Sequence, residues 1–347
     1  MCKQRNINAS NVITELKNKS LLLVLSFILA PLFYCPPTFA ESPPTKTIGI
    51  SQIVEHPALN TVRQGMLNAL KEQGFEEGRN LKVLYENAQG NVVTATQIAS
   101  KLLHSDPDLV VGISTPSAQT LFYEARKLEK KTPVVFTAVS DPKAAKLDSD
   151  PGYPITGITD TANLEGLLEL MQIMMPQLKT LGLMYNPAET NSVSTIARLK
   201  VLLQARQIQF VEVTVNNTQD VPQATKSLIG KVDALYFPQD NTLVSAIQTV
   251  IQITSQASPI LPVILPIFTS DPLLVRAGVL AAVGFDYSDV GKETGLVVAK
   301  ILKGEPAQQI PIHSPKTLKA AINAKLARQL GFPIPKKLGF ADVQIID

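Results

Sequence analysis

The sequence has 347 residues, 32 Lys+Arg against 29 Asp+Glu, and 45% hydrophobic residues. Residues 1–40 hold four of the basic residues (Lys3, Arg5, Lys17, Lys19), one acidic residue (Glu15) and both cysteines (Cys2, Cys35), which leaves 28 residues of each sign and no cysteine downstream. That balance gives no electrostatic case for nucleic acid or an anionic membrane as partner, and it removes disulfides, a cysteine nucleophile and cysteine metal ligands from consideration.

The amino-terminal segment has a basic start, a 13-residue, almost purely apolar run over 21–33 (LLLVLSFILAPLF), then Pro36, Pro37 and Thr38-Phe39-Ala40. This is the layout of a secretory signal peptide, and its apolar run is shorter than the roughly 20 residues of a spanning helix. Cleavage is expected after Ala40, giving a periplasmic protein. Tyr34 stands before Cys35, where a lipoprotein signal carries a small residue, and this argues against lipidation. The roughly 300 residues that remain can bury a core unaided and suggest two lobes.

From residue 46 onward, β-branched runs over 46–53, 81–87, 108–114 and 132–139 predict strands. Segments 58–73, 92–103 and 117–128 between them space their apolar residues by three and four, and predict helices. Gly74, Gly78 and Pro107 punctuate the joints. Residues 148–154 (DSDPGYP) read as a loop, and the rhythm then restarts. Strands are predicted over 155–159, 180–185, 210–215, 234–237 and 262–268, with helices over 164–175, 192–207, 219–229 and 243–256. The pattern predicts an α/β protein of two doubly wound parallel-sheet lobes.

Ligands of such sheets sit at the carboxyl ends of the strands. In the first lobe those ends carry Ser51, Gln52, Ser114, Thr115, Ser117, Ser140 and Asp141, with His56 close by. In the second they carry Asn186, Glu189, Asn191, Ser192, Gln239, Asp240, Asn241, the pair Ser270-Asp271, and Asp286 with Tyr287. Ser114-Thr115-Pro116-Ser117 signals a helix start, whose free amides and hydroxyls can hold a carboxylate. Asp240 could pair with an ammonium group, so the two walls together suit a zwitterion such as an amino acid. The plainer readings are that these residues cap helices, that Asp141-Pro142 and Asp271-Pro272 are turn pairs, that His56 is an exposed loop residue and that Tyr287 packs.

Enzyme signatures are missing from the sequence. His56, His104 and His313 form no HxH or HExxH pair, Gly112-Ile113-Ser114-Thr115-Pro116 lacks the second glycine of a nucleophile elbow, and no glycine-rich phosphate loop opens a helix. No Trp is available for sugar subsites. Neither catalytic residues, nor a metal, nor a cofactor is expected.

The stretches IGISQIVEHPALNTVRQGMLNAL, GFEEGRNLKVLYENAQGN, PDLVVGISTPSAQT, PVVFTAVSDPKAAKL, ITGITD, LGLMYNPAETNS, VDALYFPQDN and VGFDYSDVGKETG follow in this order. In them the chain resembles the ABC-transporter substrate-binding proteins related to the tryptophan- and tyrosine-binding group, from residue 47 to the end. The resemblance implies the type I periplasmic-binding-protein fold, with lobes of 46–157 plus 285–312 and 158–284 plus 313–347. It implies three crossings, near Gly157, Phe285 and Ile312, with the crossing segments near Gly157 and Gly284 absorbing the hinge motion. It further implies a monomer that captures a small ligand, often an aromatic amino acid, and delivers it to an inner-membrane permease. By matching motif its pocket would draw on Ser51, Gln52, Ser114, Thr115, Ser117, Ser140 and Asp141 from one lobe and on Asn186, Glu189, Asn191, Ser192, Asp240, Asn241 and Asp286 from the other. Residues 258–267 (SPILPVILPI) depart from the family pattern by their three prolines. A ligand-sensing domain acting on a separate signalling partner and an exported α/β hydrolase are the other classes open to the sequence.

Overall fold

The structure, a computed structural model, describes residues 45–148, 150, 152–256, 264–341 and 343–347. The signal-like segment with Cys35 and Ala40, and most of the proline-rich stretch, lie outside the described residues.

The first sheet contains β1 (Lys46–Gln52), β2 (Leu81–Asn87), β3 (Leu109–Ile113), β4 (Val134–Val139) and β5 (Ile155–Thr159). They run parallel in the order β2-β1-β3-β4-β5. Every residue of β3, β4 and β5 is buried, as expected of strands covered on both faces, whose sequences are unbroken apolar runs rather than alternating ones. Helices α1 (Pro57–Glu72), α2 (Val92–His104) and α3 (Thr115–Lys127) connect β1 to β4.

The second sheet has seven strands: β6 (Thr180–Tyr185), β7 (Gln209–Thr214), β8 (Ala234–Phe237), β9 (Ile267–Thr269), β10 (Ala281–Phe285), β11 (Leu318–Asn323) and β12 (Val343–Ile346). Their order is β12-β11-β10-β9-β8-β6-β7, parallel except where β10 meets β11. The remaining helices are α4 (Leu164–Met174), α5 (Thr190–Ala205), α6 (Val221–Leu228), α7 (Asn241–Ser245), α8 (Ile247–Ser255), α9 (Tyr287–Leu302) and α10 (Ala324–Leu330). The two-lobed α/β architecture expected from the sequence is therefore present. Three details differ. The helix predicted over 243–256 is broken at Ala246 (φ −105, ψ 10) into α7 and α8. The strand predicted over 262–268 is the three-residue β9. Strands β10 to β12, which the sequence pattern did not separate, enlarge the second sheet.

The chain passes between the sheets three times. It leaves the first after Thr159, returns from β10 at Asp286 into α9, and crosses again between the bridge at His313, still paired with Ile158, and the start of β11. Gly157 is thus inside β5 and Gly284 inside β10. A Cβ on Gly157 would meet the Phe136 carbonyl at 2.2 Å, and one on Gly284 the Ser270 carbonyl at 2.0 Å. These glycines permit close strand packing, and the crossings lie just beyond them. Helix α9 docks on α1 in the same way: a Cβ at Gly291 would lie 2.3 Å from the Val62 carbonyl, and one at Gly295 2.5 Å from that of Met66.

Candidate ligand-binding cleft

The strand ends of both sheets meet in one cleft. On the first wall, Ser114 follows β3 with φ 79 and ψ 157, a region nearly confined to glycine and costing a serine about 1–3 kcal/mol. Its strained turn lifts the hydroxyl toward the second lobe. Thr115 and Ser117 begin α3, fully buried, and Ser117 receives the Ser51 hydroxyl at 3.4 Å. Gln52 is tied to Val54, Asn60 and Arg63 behind the wall. Ser140, after β4, donates to Asp160 at 2.9 Å, while Asp141 caps the following turn at Ala144 and takes a bond from Ser194 of the other lobe.

The second wall is organised by two carboxylates. Glu189 accepts from the Asn241 amide (2.9 Å), the Asn241 side chain (2.6 Å), the Thr242 amide (3.0 Å) and the Thr242 hydroxyl (3.0 Å). Asp240 accepts from the amides of Leu243 (2.9 Å) and Asn186 (2.7 Å) and from Ser192 (2.7 Å). Asn186 also donates to Thr242, and Asn191 to the Gln239 carbonyl at 2.6 Å. These bonds knit the loops after β6 and β8 into one block. Burial first, and then the Glu189 charge, raise the Asp240 pKa.

Where the walls meet, His56, Leu59, Ser114 and Ala138 face Gln239, Asp240, Asn241, Val244 and Asp271, with Asp160 and Tyr287 from the crossing segments. The lobes are closed: Asn241 donates to Ser114 at 3.0 Å, His56 Nε2 lies 3.4 Å from Asn241 Oδ1, and Gln239 donates to the Asp160 carbonyl at 2.7 Å. The enclosed space is ≈ 20 Å³, about one water, so a larger guest must part the lobes and move side chains such as Leu59 and Val244. Beyond Asn241 the cleft widens into a groove of ≈ 400 Å³ between Ile53, Val54 and Pro116 on one side and Ala188 and Thr242 on the other.

The electrostatics of this space are one-sided. Asp160, Asp240 and Asp271 are at most 2% exposed, and among the described residues no Lys or Arg lines the cavity. Asp160 accepts from Ser140 and from Tyr287 (3.1 Å), and burial raises its pKa. Asp271 accepts from the Leu273 amide at 2.9 Å, and burial, helped by the charges of Asp160 and Asp286, pushes its pKa up to about 7. His56 cannot compensate, because burial lowers its pKa to about 4 and leaves it neutral. Buried polar side-chain atoms without a protein partner, among the described residues, are His56 Nδ1, Thr115 Oγ1, Asn191 Oδ1 and Gln239 Oε1. All four belong to residues of these strand-end loops, and buried polar groups are nearly always paired. Among the described residues, the unmet bonding capacity of buried side chains is therefore gathered around the cleft.

Of the residues expected from the sequence, Ser114, Asp240 and Asn241 line the cavity. Ser51, Gln52, Thr115, Ser117, Ser140, Asp141, Asn186, Glu189, Asn191 and Ser192 stand behind or beside it. Asp286 does not join them: it pairs with Lys319 and caps α9 through Ser288, because the chain turns into α9 there. Two plain readings also change. His56 is 9% exposed rather than a surface residue, and Tyr287 hydrogen-bonds in the wall. Asp160 was not among the expected residues, although it follows β5 immediately, closer than Asp240 follows β8.

The family model for ABC transporter substrate binding proteins matches residues 47–344. The chain belongs to this family. It is 33% identical over 293 residues to a tyrosine-binding protein of Clostridioides difficile (strain R20291), covering 84% of this chain and 82% of that one. It is 30% identical to the ABC domain from Streptococcus pneumonia solved in complex with L-Trp, with a TM-score of 0.80 over 87% of this chain and 100% of that one. A ligand-free, open structure of a substrate-binding protein with adhesive properties from Clostridium difficile is 34% identical, covers 87% of this chain and 99% of that one, and gives a TM-score of 0.64. At similar identity, the closed lobes described here superpose better on the complexed protein than on the open one. As a family member the chain is a solute-binding protein with the type I fold, not an enzyme.

Proposed function

We propose that this substrate-binding protein serves an ABC importer, capturing an amino acid with an aromatic or other apolar side chain between its lobes and handing it to an inner-membrane permease. Hinge closure is the mechanism. Ligand held by one lobe completes its bonds only when the other swings in, so the closed state is favoured by its higher affinity. The crossings after Thr159, at Asp286 and beyond His313 carry that motion, and divide the chain into the two lobes. The export signal, cleavage after Ala40, a periplasmic location and a monomeric state belong to the same reading.

The observation that carries it is the set of buried carboxylates with no Lys or Arg lining their cavity among the described residues, which calls for a cationic group. The ammonium of the amino acid answers that call. Asp240 already receives three donors, whereas Asp271 receives the Leu273 amide and sits with Asp160, so we assign the ammonium to Asp271 and Asp160 rather than to Asp240. The carboxylate goes to the first turn of α3, where Thr115 Oγ1 is without a protein partner. Ser51, Gln52, Ser114, Ser117, Ser140, Asp141, Asn186, Glu189, Asn191, Ser192 and Asn241 hold these groups in place.

A thermal-shift screen against the twenty amino acids, followed by calorimetry, tests this. L-tryptophan, L-tyrosine or another apolar amino acid should raise the melting temperature, and indole-3-propionate, which lacks the amine, should not. Stabilisation by no amino acid would rule the assignment out.

A further inference from the structure

The imidazole of His56 occupies an unusual place. It is the residue before α1, yet its ring makes no capping bond to that helix. It lines the closed cavity, and its Nδ1 has no protein partner. The proton on this ring is determined by its neighbours across the cleft. Glu189 accepts from two main-chain amides and from the Asn241 side chain at 2.6 Å, so it acts as an acceptor and the Asn241 group facing it must be the NH2. The other end of that amide, Oδ1, then faces His56 Nε2 at 3.4 Å. An oxygen can only accept, so Nε2 must carry the proton. A neutral imidazole has one proton, and Nδ1 is left as a bare acceptor in a buried site.

We propose that His56 Nδ1 is a specificity-determining acceptor that takes a hydrogen bond from an N–H of the bound ligand, with Glu189 and Asn241 as positioning residues that hold the ring in the required tautomer. The inference rests on the cleft being the ligand site, and it adds a preference to it. Ligands presenting a donor at this point leave no buried acceptor unpaired, and those without one are penalised. Because Glu189 and Asn241 belong to the second lobe and His56 to the first, the tautomer is fixed only on closure. The open protein is free to exchange tautomers, and closing selects one.

Long-range proton–nitrogen NMR of the histidine side chains in the purified protein should show His56 with hydrogen on Nε2 in the closed form and a tautomer mixture in an open one. In Asn241→Leu the selection is lost, and a tautomer mixture is expected. Calorimetry with L-tryptophan, 1-methyl-L-tryptophan and indole-3-propionate should then be run on wild type, His56→Leu and His56→Gln. For L-tryptophan the Leu variant should lose about tenfold in affinity, and the Gln variant, which keeps an acceptor, should lose less. The loss should vanish for whichever analogue lacks the donor that His56 receives. Hydrogen on Nδ1 in the wild type, or an equal loss for all three probes, would overturn the proposal. Hydrogen on Nε2 with no probe binding the wild type would keep the acceptor and reject the amino-acid reading alone.

Discussion

Two buried acidic pairs flank the cleft, and the fold supplies them with donors very unequally. Glu189 and Asp240 receive four and three hydrogen bonds, mostly from main-chain amides of the loops they join. Asp160 receives two from side chains, and Asp271 receives the Leu273 amide. Both pairs are buried at strand ends, Glu189 and Asp240 after the neighbouring strands β6 and β8, Asp160 and Asp271 after β5 and β9 of the two different sheets. A carboxylate surrounded by donors from its own chain is spent on holding that chain. One buried with few donors retains a demand that only a partner from outside can meet.

The strongest way to break this contrast is to remove a member of each pair. Glu189→Ala strands the Asn241 and Thr242 amides, and should cost on the order of 3 kcal/mol or more in chemical denaturation. Asp271→Asn should leave stability unchanged or raise it, since it removes a buried charge, while calorimetry shows L-tryptophan affinity falling about thirtyfold. Equal destabilisation by the two variants would erase the distinction.

A second separation lies in pH. The Asp271 pKa of about 7 exceeds its ordinary value of 3.8, so in the free protein this group adds stability below 3.8 that is lost as pH rises through about 7. Binding a cation demands the ionised form, and affinity should run the other way, falling by up to about tenfold per unit below pH 7. Melting curves of the free protein and calorimetry between pH 5 and 8 would reveal the opposed slopes, and parallel slopes would refute the role of Asp271. The smallest effect is expected from Ser140→Ala, which takes away one of the two side-chain donors to Asp160. A loss of about 1 kcal/mol in binding, or roughly fivefold, is expected with little change in fold. An unchanged affinity would mean that Asp160 does not meet the ligand.

Much of the first sheet was legible because β3 and β4 are runs of Val, Ile and Phe with obvious helices between them. The second sheet was read only as far as β9, since AAVGF and LKAAIN are rich in alanine, which has no marked strand preference, and β11 runs against its neighbour. The long helix over 243–256 hid a break at Ala246 that its apolar spacing does not register. At the site, hydroxyl and amide residues after strands were found by position, but position cannot tell an anchor from a contact. Asp240 and Asp271 look alike in sequence, and their difference depends on which amides the fold brings to each. Asp160 directly follows the strand predicted over 155–159, so position marked it as plainly as it marked Asp240.

Helix α9 has one further consequence. It sits against α1 so tightly that Gly291 and Gly295 leave no space for a methyl group, yet more than two hundred residues of chain separate the two helices. The amino-terminal lobe, although made first, is therefore finished late, because a chain emerging from the ribosome cannot cover Val62 and Met66 until residue 295 has been made. Such long-range closure slows folding, and a slow start keeps a polypeptide extended for longer. For the exported protein proposed above, which would thread through a narrow channel before it folds, that delay would be an advantage written into the order of its elements.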